Sequence, residues 1–356
     1  MTVATGSPEH EAHVDDLARR LTAAGARVRR DPIPMRRWTP RHAELHPVGA
    51  AVPVAYTART GPEGVTGLLS TRPRAGVIGL ARIHPTTRDI LDWAGDPVPS
   101  PDHESIREAL ARFESAGAVG AVLVVDEPDT HLLRDGRHRR IPAVFARPDQ
   151  PIREGDTATL VVEADIDVVA THNVLGVLPG SSPDLVVLQT HTDGPNALAH
   201  NDSVMSVVED LAQTDLPACV LVLLTTGHLA TEEVWGVPAF LAEHRDDLVP
   251  RVKAALSVGT GSCFATGHPA VLDCARRALV RAGDEPRVCR PFLPHDLAPD
   301  GVTWPGDGGP FWQAGVPTLE LACTHRTALT RAVLELCATP REALSRRTVL
   351  ETHVDR

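Results

Sequence analysis

Apolar residues recur at Val14, Leu17, Ala18 and Leu21 with charged side chains between them. That is the spacing of one helical face, and it predicts a helix over Glu9–Ala24 that Gly25 ends. From Ala26 to Met35 the period shortens, with Val28 and Ile33 standing among arginines, which predicts an edge strand closed by a turn at Trp38–Pro40. Between about Ala50 and Ile166, prolines and glycines cut the apolar runs into short pieces: Gly67–Ser70, Ala75–Ala81, Val119–Val125 and Ile141–Phe145. These read as short strands and turns. Within that stretch Ser105–Ala116 has amphipathic helical spacing and leads into the buried strand Val119–Val125.

From Asn173 the pattern alternates. Leu185–Gln189, Ala218–Thr225 and Val252–Val258 read as buried strands, and Ser203–Ala212, Val234–His244 and Val271–Ala282 as the helices between them. Apolar strands separated by helices predict an α/β fold with a largely parallel sheet covered on both faces. Ligands of such sheets bind beyond the carboxyl ends of the strands.

Composition changes this picture in a few places. A chain of 356 residues accommodates one large α/β domain plus a smaller one, and 42% hydrophobic residues is ordinary for a soluble protein. A net charge of −11 removes the footprint of a phosphate-backbone binder, so no nucleic-acid partner is expected. No apolar run approaches the roughly 20 residues that span a bilayer, and residues 1–30 lack an apolar segment behind a basic start. No membrane partner is expected, and the location is expected to be cytoplasmic. Cys219, Cys263, Cys274, Cys289, Cys323 and Cys337 form no C-x-x-C pair, which points to buried free thiols and not to a zinc ribbon.

The candidate chemistry lies at the strand ends. The strand from Leu185 finishes in His191-Thr192-Asp193. Alternate residues share a face, so the Asp193 carboxylate can accept the second imidazole N–H of His191. Next come Ala199-His200-Asn201-Asp202-Ser203, where Asp202 or Ser203 can cap the following helix and His200 has no such duty. Beyond Thr225 stand Gly227-His228 and Thr231-Glu232-Glu233. The glutamates suit a helix N-terminus, where acidic groups meet the dipole. They equally suit hydrolysis, one binding a metal while its neighbour takes a proton from metal-bound water. Gly306-Asp307-Gly308-Gly309 reads as a loop with no helix beginning at its glycines and no Lys-Ser/Thr, which argues against a phosphate cradle. The strand that follows delivers His325, and a histidine just past a strand suits a ligand.

Ala170-Thr171-His172-Asn173-Val174-Leu175-Gly176-Val177-Leu178-Pro179-Gly180, followed by His191-Thr192-Asp193, resembles the start of the catalytic core in zinc aminopeptidases and glutamate carboxypeptidases. Gly306–Phe311 with Ala314-Gly315-Val316-Pro317 is similar to that family's Ser-Asp-His-x-Pro-Phe…Gly-Ile-Pro stretch, and Glu108–Gly117, Val119–Val125 and Ile141–Phe145 are similar to a protease-associated domain. The resemblance implies an α/β fold, a mixed, largely parallel sheet sandwiched by helices, formed by residues 1–48 and 167–356. Residues 49–166 would be a small, β-rich protease-associated lid. It also implies one or two zinc ions, with His191, Glu233 and His325 as ligands, Asp193 orienting His191, and Glu232 as general base. His228 competes for the place of the glutamates. His200-Asn201 stands where the family has a bridging Asp-Asn pair, and Ser257-Val258-Gly259 where it has a further carboxylate. Asp202 would replace the bridge only by pointing inward. A single-metal site of His191, His200 or His228, Glu233 and His325 is chemically sensible. The implied function is metal-dependent hydrolysis of a peptide or amide bond in a small substrate. Two alternatives stand beside it: a metal-free peptidase-fold binding protein, motivated by His200 and Gly259, and a non-hydrolytic cyclase or acyl-transfer enzyme on the same fold.

Overall fold

The computed structural model describes residues 2–83, 103–130, 138–227, 236–259, 264–267, 269–282, 287–288, 307–322 and 325–344. Two compact units emerge. One combines the N-terminal residues to Ile33 with most of the chain from Thr171 onward, and the other spans Pro34–Ala170.

The chain opens with β1 (Thr2–Val3) and α1 (Pro8–Ala23). The Ser7 hydroxyl accepts the His10 N–H at 3.1 Å, and Pro8 fills a first-turn position whose N–H would have no partner. Gly25, at φ +83°, turns the chain out of α1. The strand that follows, β2 (Arg27–His46), runs straight through Trp38–Pro40, where the sequence predicts a turn. Asp31, Ile33 and Met35 are buried while Pro32, Pro34 and Pro40 are exposed. Pro32 and Pro34 share one parity, so their missing N–H groups fall on one edge and the other can still pair.

The Pro34–Ala170 unit continues with β3 (Gly49–Ala50), β4 (Val52–Pro53), β5 (Val65–Ser70), β6 (Ile78–Arg82), α2 (His103–Ser115), β7 (Gly120–Val124), β8 (Ala143–Ala146) and β9 (Thr157–Leu178). β5, β6, β7 and β8 pair in parallel in that order, β4 lies antiparallel to β8, and the first residues of β9 lie antiparallel to β5. Short strands joined by turns would pair antiparallel. Here α2 provides the crossover between β6 and β7 that parallel pairing needs. Its Ile106, Leu110 and Phe113 pack with Ala121, Leu123 and Phe145 in one core.

In the other unit the end of β9 is followed by β10 (Leu185–His191), β11 (Gly194–Pro195), α3 (Ala197–Leu211), β12 (Cys219–Thr225), α4 (Val237–Glu243) and β13 (Val252–Gly259). There follow β14 (Phe264–Gly267), α5 (Pro269–Ala282), β15 (Arg287–Val288), α6 (Gly309–Gln313), β16 (Thr318–Ala322), α7 (Arg326–Ala338) and α8 (Arg341–Leu344). The strand order is β15-β14-β16-β13-β10-β12-β9, parallel except at β14–β16 and β12–β9. This is the α/β fold with a mixed, largely parallel sheet that the pattern predicts. Alternate strand residues such as Val186, Val222 and Leu256 meet α1, α3, α5 and α7 on one face, while Val187, Leu223 and Ala255 meet Phe240 and Phe311 on the other. Among the described residues no helix is long and apolar enough to cross a membrane. Cys219, Cys274 and Cys337 are buried free thiols, and the other three cysteines lie outside the described residues.

Candidate functional site

All seven residues of β10 are buried, because the strand lies between parallel neighbours β12 and β13 and under helices on both faces. Its parity puts Gln189 and His191 on the face of Val187, with His191 at the carboxyl end. Gly194 at φ +97° and Asn196 at φ +60° then reverse the chain into α3. The helix therefore begins at Ala197, ahead of the expected Ser203, and neither Asp202 nor Ser203 caps it. Asp202 points outward to Arg20 at 2.9 Å, which removes it as an inward-facing bridge.

The early start carries His200 back over the strand end. His191 and His200 are 5% and 7% exposed, and His200 Nδ1 lies 2.8 Å from His191 Nε2, the rings at 86° to one another. Protonation follows from the partners. His191 Nδ1 faces the main-chain carbonyl of Asp193, which only accepts, so that nitrogen carries the proton. In the neutral ring Nε2 then holds a lone pair, and the His200 Nδ1–H donates to it. The sequence pattern assigns the orienting role to the Asp193 side chain. Instead the Asp193 carbonyl holds the His191 ring, while its carboxylate accepts from Gly227 N at 3.0 Å and from the Thr5 hydroxyl.

Neighbouring polar groups tie the rim together. Asn201 is fully buried and donates through Nδ2 to the His191 and Ala197 carbonyls, leaving its Oδ1 without a partner among the described residues. Asn173 donates to Gly236 O at 2.8 Å and accepts from Thr226 N at 3.0 Å. One level below His191, Gln189, Ser257 and Glu320 stand in register on β10, β13 and β16. The buried Glu320 carboxylate accepts from the Ser257 hydroxyl at 3.1 Å and from Gly308 N at 3.2 Å. Sequence reasoning missed Glu320, although an acidic residue between Leu319 and Leu321 in an apolar strand was a visible signal. The glycine stretch it holds does start a helix, the five-residue α6 at Gly309, contrary to expectation.

His325 lies past the end of β16, two strands from β10, as the exposed residue that opens α7. It does not complete a cluster with the histidine pair: among the described residues no group of three or more His, Cys, Asp or Glu side chains gathers as a metal site. His228, Glu232 and Glu233 lie outside the described residues. The described donors nonetheless suit zinc as two of its ligands. His191 has the ligating tautomer, with its second nitrogen held by a carbonyl, and a second buried imidazole lies beside it, whose Nδ1 would give up its proton to join His191 on a metal. Gly259, at the end of β13, contributes no carboxylate.

No family model matches the sequence, and no curated protein does. Solved structures do share the fold. A zinc aminopeptidase from Bacillus subtilis superposes with a TM-score of 0.68 at 15% identity, covering 94% of this chain and 90% of that one. A peptidase M28 precursor from Shewanella amazonensis gives 0.67 at 16%, with 94% and 88% covered. An aminopeptidase from Aneurinibacillus sp. strain AM-1 gives 0.65 at 13%, with 95% and 89% covered. At these identities the likeness is one of fold.

Proposed function

We propose that this protein is a metal-dependent hydrolase that cleaves a peptide or amide bond in a small substrate, with residues 49–166 serving as a protease-associated lid. The observation that carries it is the convergence of His191 and His200 at a strand's carboxyl end, with the His191 ring already held as a ligand requires. His191 and His200 would hold zinc together with Glu233 and His228. When bound, zinc supplies a Lewis acid and lowers the pKa of a water molecule. Glu232 would act as the general base and accept the proton of the attacking water. Asn201 and the Asp193 carbonyl fix His191 from two sides, and the Asp193 carboxylate keeps that turn closed through Gly227.

Metal analysis of protein purified without chelators tests this, with about one or two equivalents of zinc expected. Glu232→Gln should abolish release of an amine from aminoacyl and peptidyl amides while leaving the zinc content intact. Full activity in both Glu232→Gln and Glu233→Gln would remove these glutamates from the mechanism. A second function, a metal-free peptidase-fold binding protein, is favoured by one specific contact: the two imidazoles satisfy each other directly at 2.8 Å.

A further inference from the structure

The first ten residues of the chain converge on the His191–Asp193 turn. β1 pairs with β11, so that Val3 sits opposite Gly194 and Thr2 opposite Pro195. The Thr5 hydroxyl donates to the Asp193 carboxylate across 188 residues of sequence. His10 is fully buried and its Nε2 lies 2.9 Å from the Thr192 hydroxyl. Two independent contacts fix the sense of that bond. The Thr192 hydroxyl spends its proton on Thr225 O at 3.0 Å and so accepts from His10, while Gly6 N–H donates to His10 Nδ1 at 3.0 Å. His10 therefore carries a proton on Nε2 and aims it at Thr192. Thr192 N also donates to Thr225 O at 2.7 Å.

The Asp193 carbonyl, which holds His191 Nδ1, belongs to a short piece of main chain gripped on both sides. His10 grips it before, through Thr192. Thr5 and Val3 grip it after, through the Asp193 side chain and Gly194. A shift of that carbonyl by a few tenths of an ångström would weaken its bond to Nδ1 and let the imidazole adopt the other tautomer or turn. We infer that Thr5 and His10 are positioning residues for His191: they touch no reacting atom but hold the carbonyl that keeps its Nε2 lone pair aimed at the site. As a role in metal binding this rests on the proposed function; as a statement about the His191 ring it does not.

The test uses the full chain with Thr5→Val and His10→Phe, which remove the two hydrogen bonds, beside Thr5→Ser and His10→Gln, which restore a hydroxyl and a donor at similar reach. Zn2+ affinity is measured by competition with a chromophoric chelator, and the His191 tautomer by 15N spectra of the ring nitrogens. Thr5→Val and His10→Phe should each weaken Zn2+ binding about 10–100-fold, while the conservative pair stays within about threefold of the wild type. In the spectra, the His191 Nδ1–H signal should broaden or give way to the Nε2–H form in the first pair only. Folded Thr5→Val and His10→Phe proteins that keep both the wild-type spectrum and the wild-type affinity would overturn the inference. If the wild type binds no Zn2+, the metal-binding function falls, and the ring spectra still decide the positioning role, an unchanged His191 signal in Thr5→Val refuting it. Should His10→Phe fail to fold, the Thr5→Val and Thr5→Ser comparison decides alone.

Discussion

Glu320 gives the sharpest test of what the buried polar row beneath the rim is for. Its carboxylate accepts from the Ser257 hydroxyl and from Gly308 N, and a Cβ on Gly308 would lie 3.0 Å from its Oε2. The glycine loop is seated directly on the acid. Glu320→Leu leaves both donors without an acceptor, at about 1–3 kcal/mol each, so a loss of about 3 kcal/mol is expected after the loop relaxes. Glu320→Gln behaves differently. Its Oε1 can take Gly308 N–H, its Nε2–H can donate to Ser257 Oγ, and the freed Ser257 proton can turn to Gln189 Oε1, which is buried without a partner among the described residues. Among these groups neutral bonds then replace the charge-assisted ones, and a buried charge disappears, so the change should stay within about 1 kcal/mol. Urea unfolding with an unchanged m-value measures the difference, and hydrogen exchange of the 307–313 peptide reports whether the loop stays seated. A Gln variant as damaging as the Leu variant would refute the hydrogen-bond account and mean that the negative charge itself is needed, as it would be opposite a cation.

Lys253 is buried, and its ammonium donates to Cys337 O at 2.8 Å and Thr339 O at 2.9 Å, carbonyls at the end of α7, where helix geometry leaves the last carbonyls without intrahelical donors. Lys253→Met should cost about 2 kcal/mol in urea unfolding, the orphaned carbonyls outweighing the relief of burying a charge. Burial pushes the Lys253 pKa down, so the unfolded chain binds more protons between the folded value and about 10.4, and stability gains from this group as pH rises through that window. The wild-type minus Lys253→Met difference should show that rise, and a flat difference would contradict it. Burial pushes the Cys337 thiol up to about 12, so peptide mapping after iodoacetamide treatment at pH 8 should find Cys337 unmodified in native protein and alkylated in urea. In the Pro34–Ala170 unit, a Cβ on Gly79 would lie 2.3 Å from Cγ of the fully buried Phe113. Gly79→Ala should therefore cost about 1–3 kcal/mol, and Phe113→Leu should recover part of that in a double-mutant cycle.

The central sheet was legible because Leu185–Leu188 and Val220–Leu224 are continuous apolar runs and Val252–Val258 is one broken only by Lys253 and Ser257, as strands buried on both faces require. β2 reads as cut short at Trp38–Pro40 because proline signals a break, and nothing local shows that Pro32, Pro34 and Pro40 all fall on exposed positions. The start of α3 was hidden for a different reason: Asn196 enters the helix in the left-handed conformation without a side-chain cap, so the usual signal is missing. In the site, His191 could be placed at a strand end from the strand pattern, and His200 stood out as an imidazole with no capping duty. The grip of Thr5 and His10 could not be seen, because they meet Asp193 and Thr192 across 188 and 182 residues and neither lies in a recognisable motif.

Charge decides how the histidine pair can be used. His191 and His200 present neutral nitrogens, Gly259 brings none of the charge that a carboxylate would, and the Asp193 carboxylate already accepts from Thr5 and Gly227. A carboxylate at about 4 Å from a unit positive charge is worth about 4 kcal/mol at an effective dielectric of 20, so a dication resting on the imidazoles alone forgoes several such terms. Between His228 and Trp235 the only acidic residues are Glu232 and Glu233. In the proposed function these two supply the compensating charge, and with one glutamate on the metal the other remains to take a proton. Binding and catalysis then depend on the same two carboxylates, which is why neutralising them separately distinguishes a hydrolase from a fold that keeps only the imidazole contact.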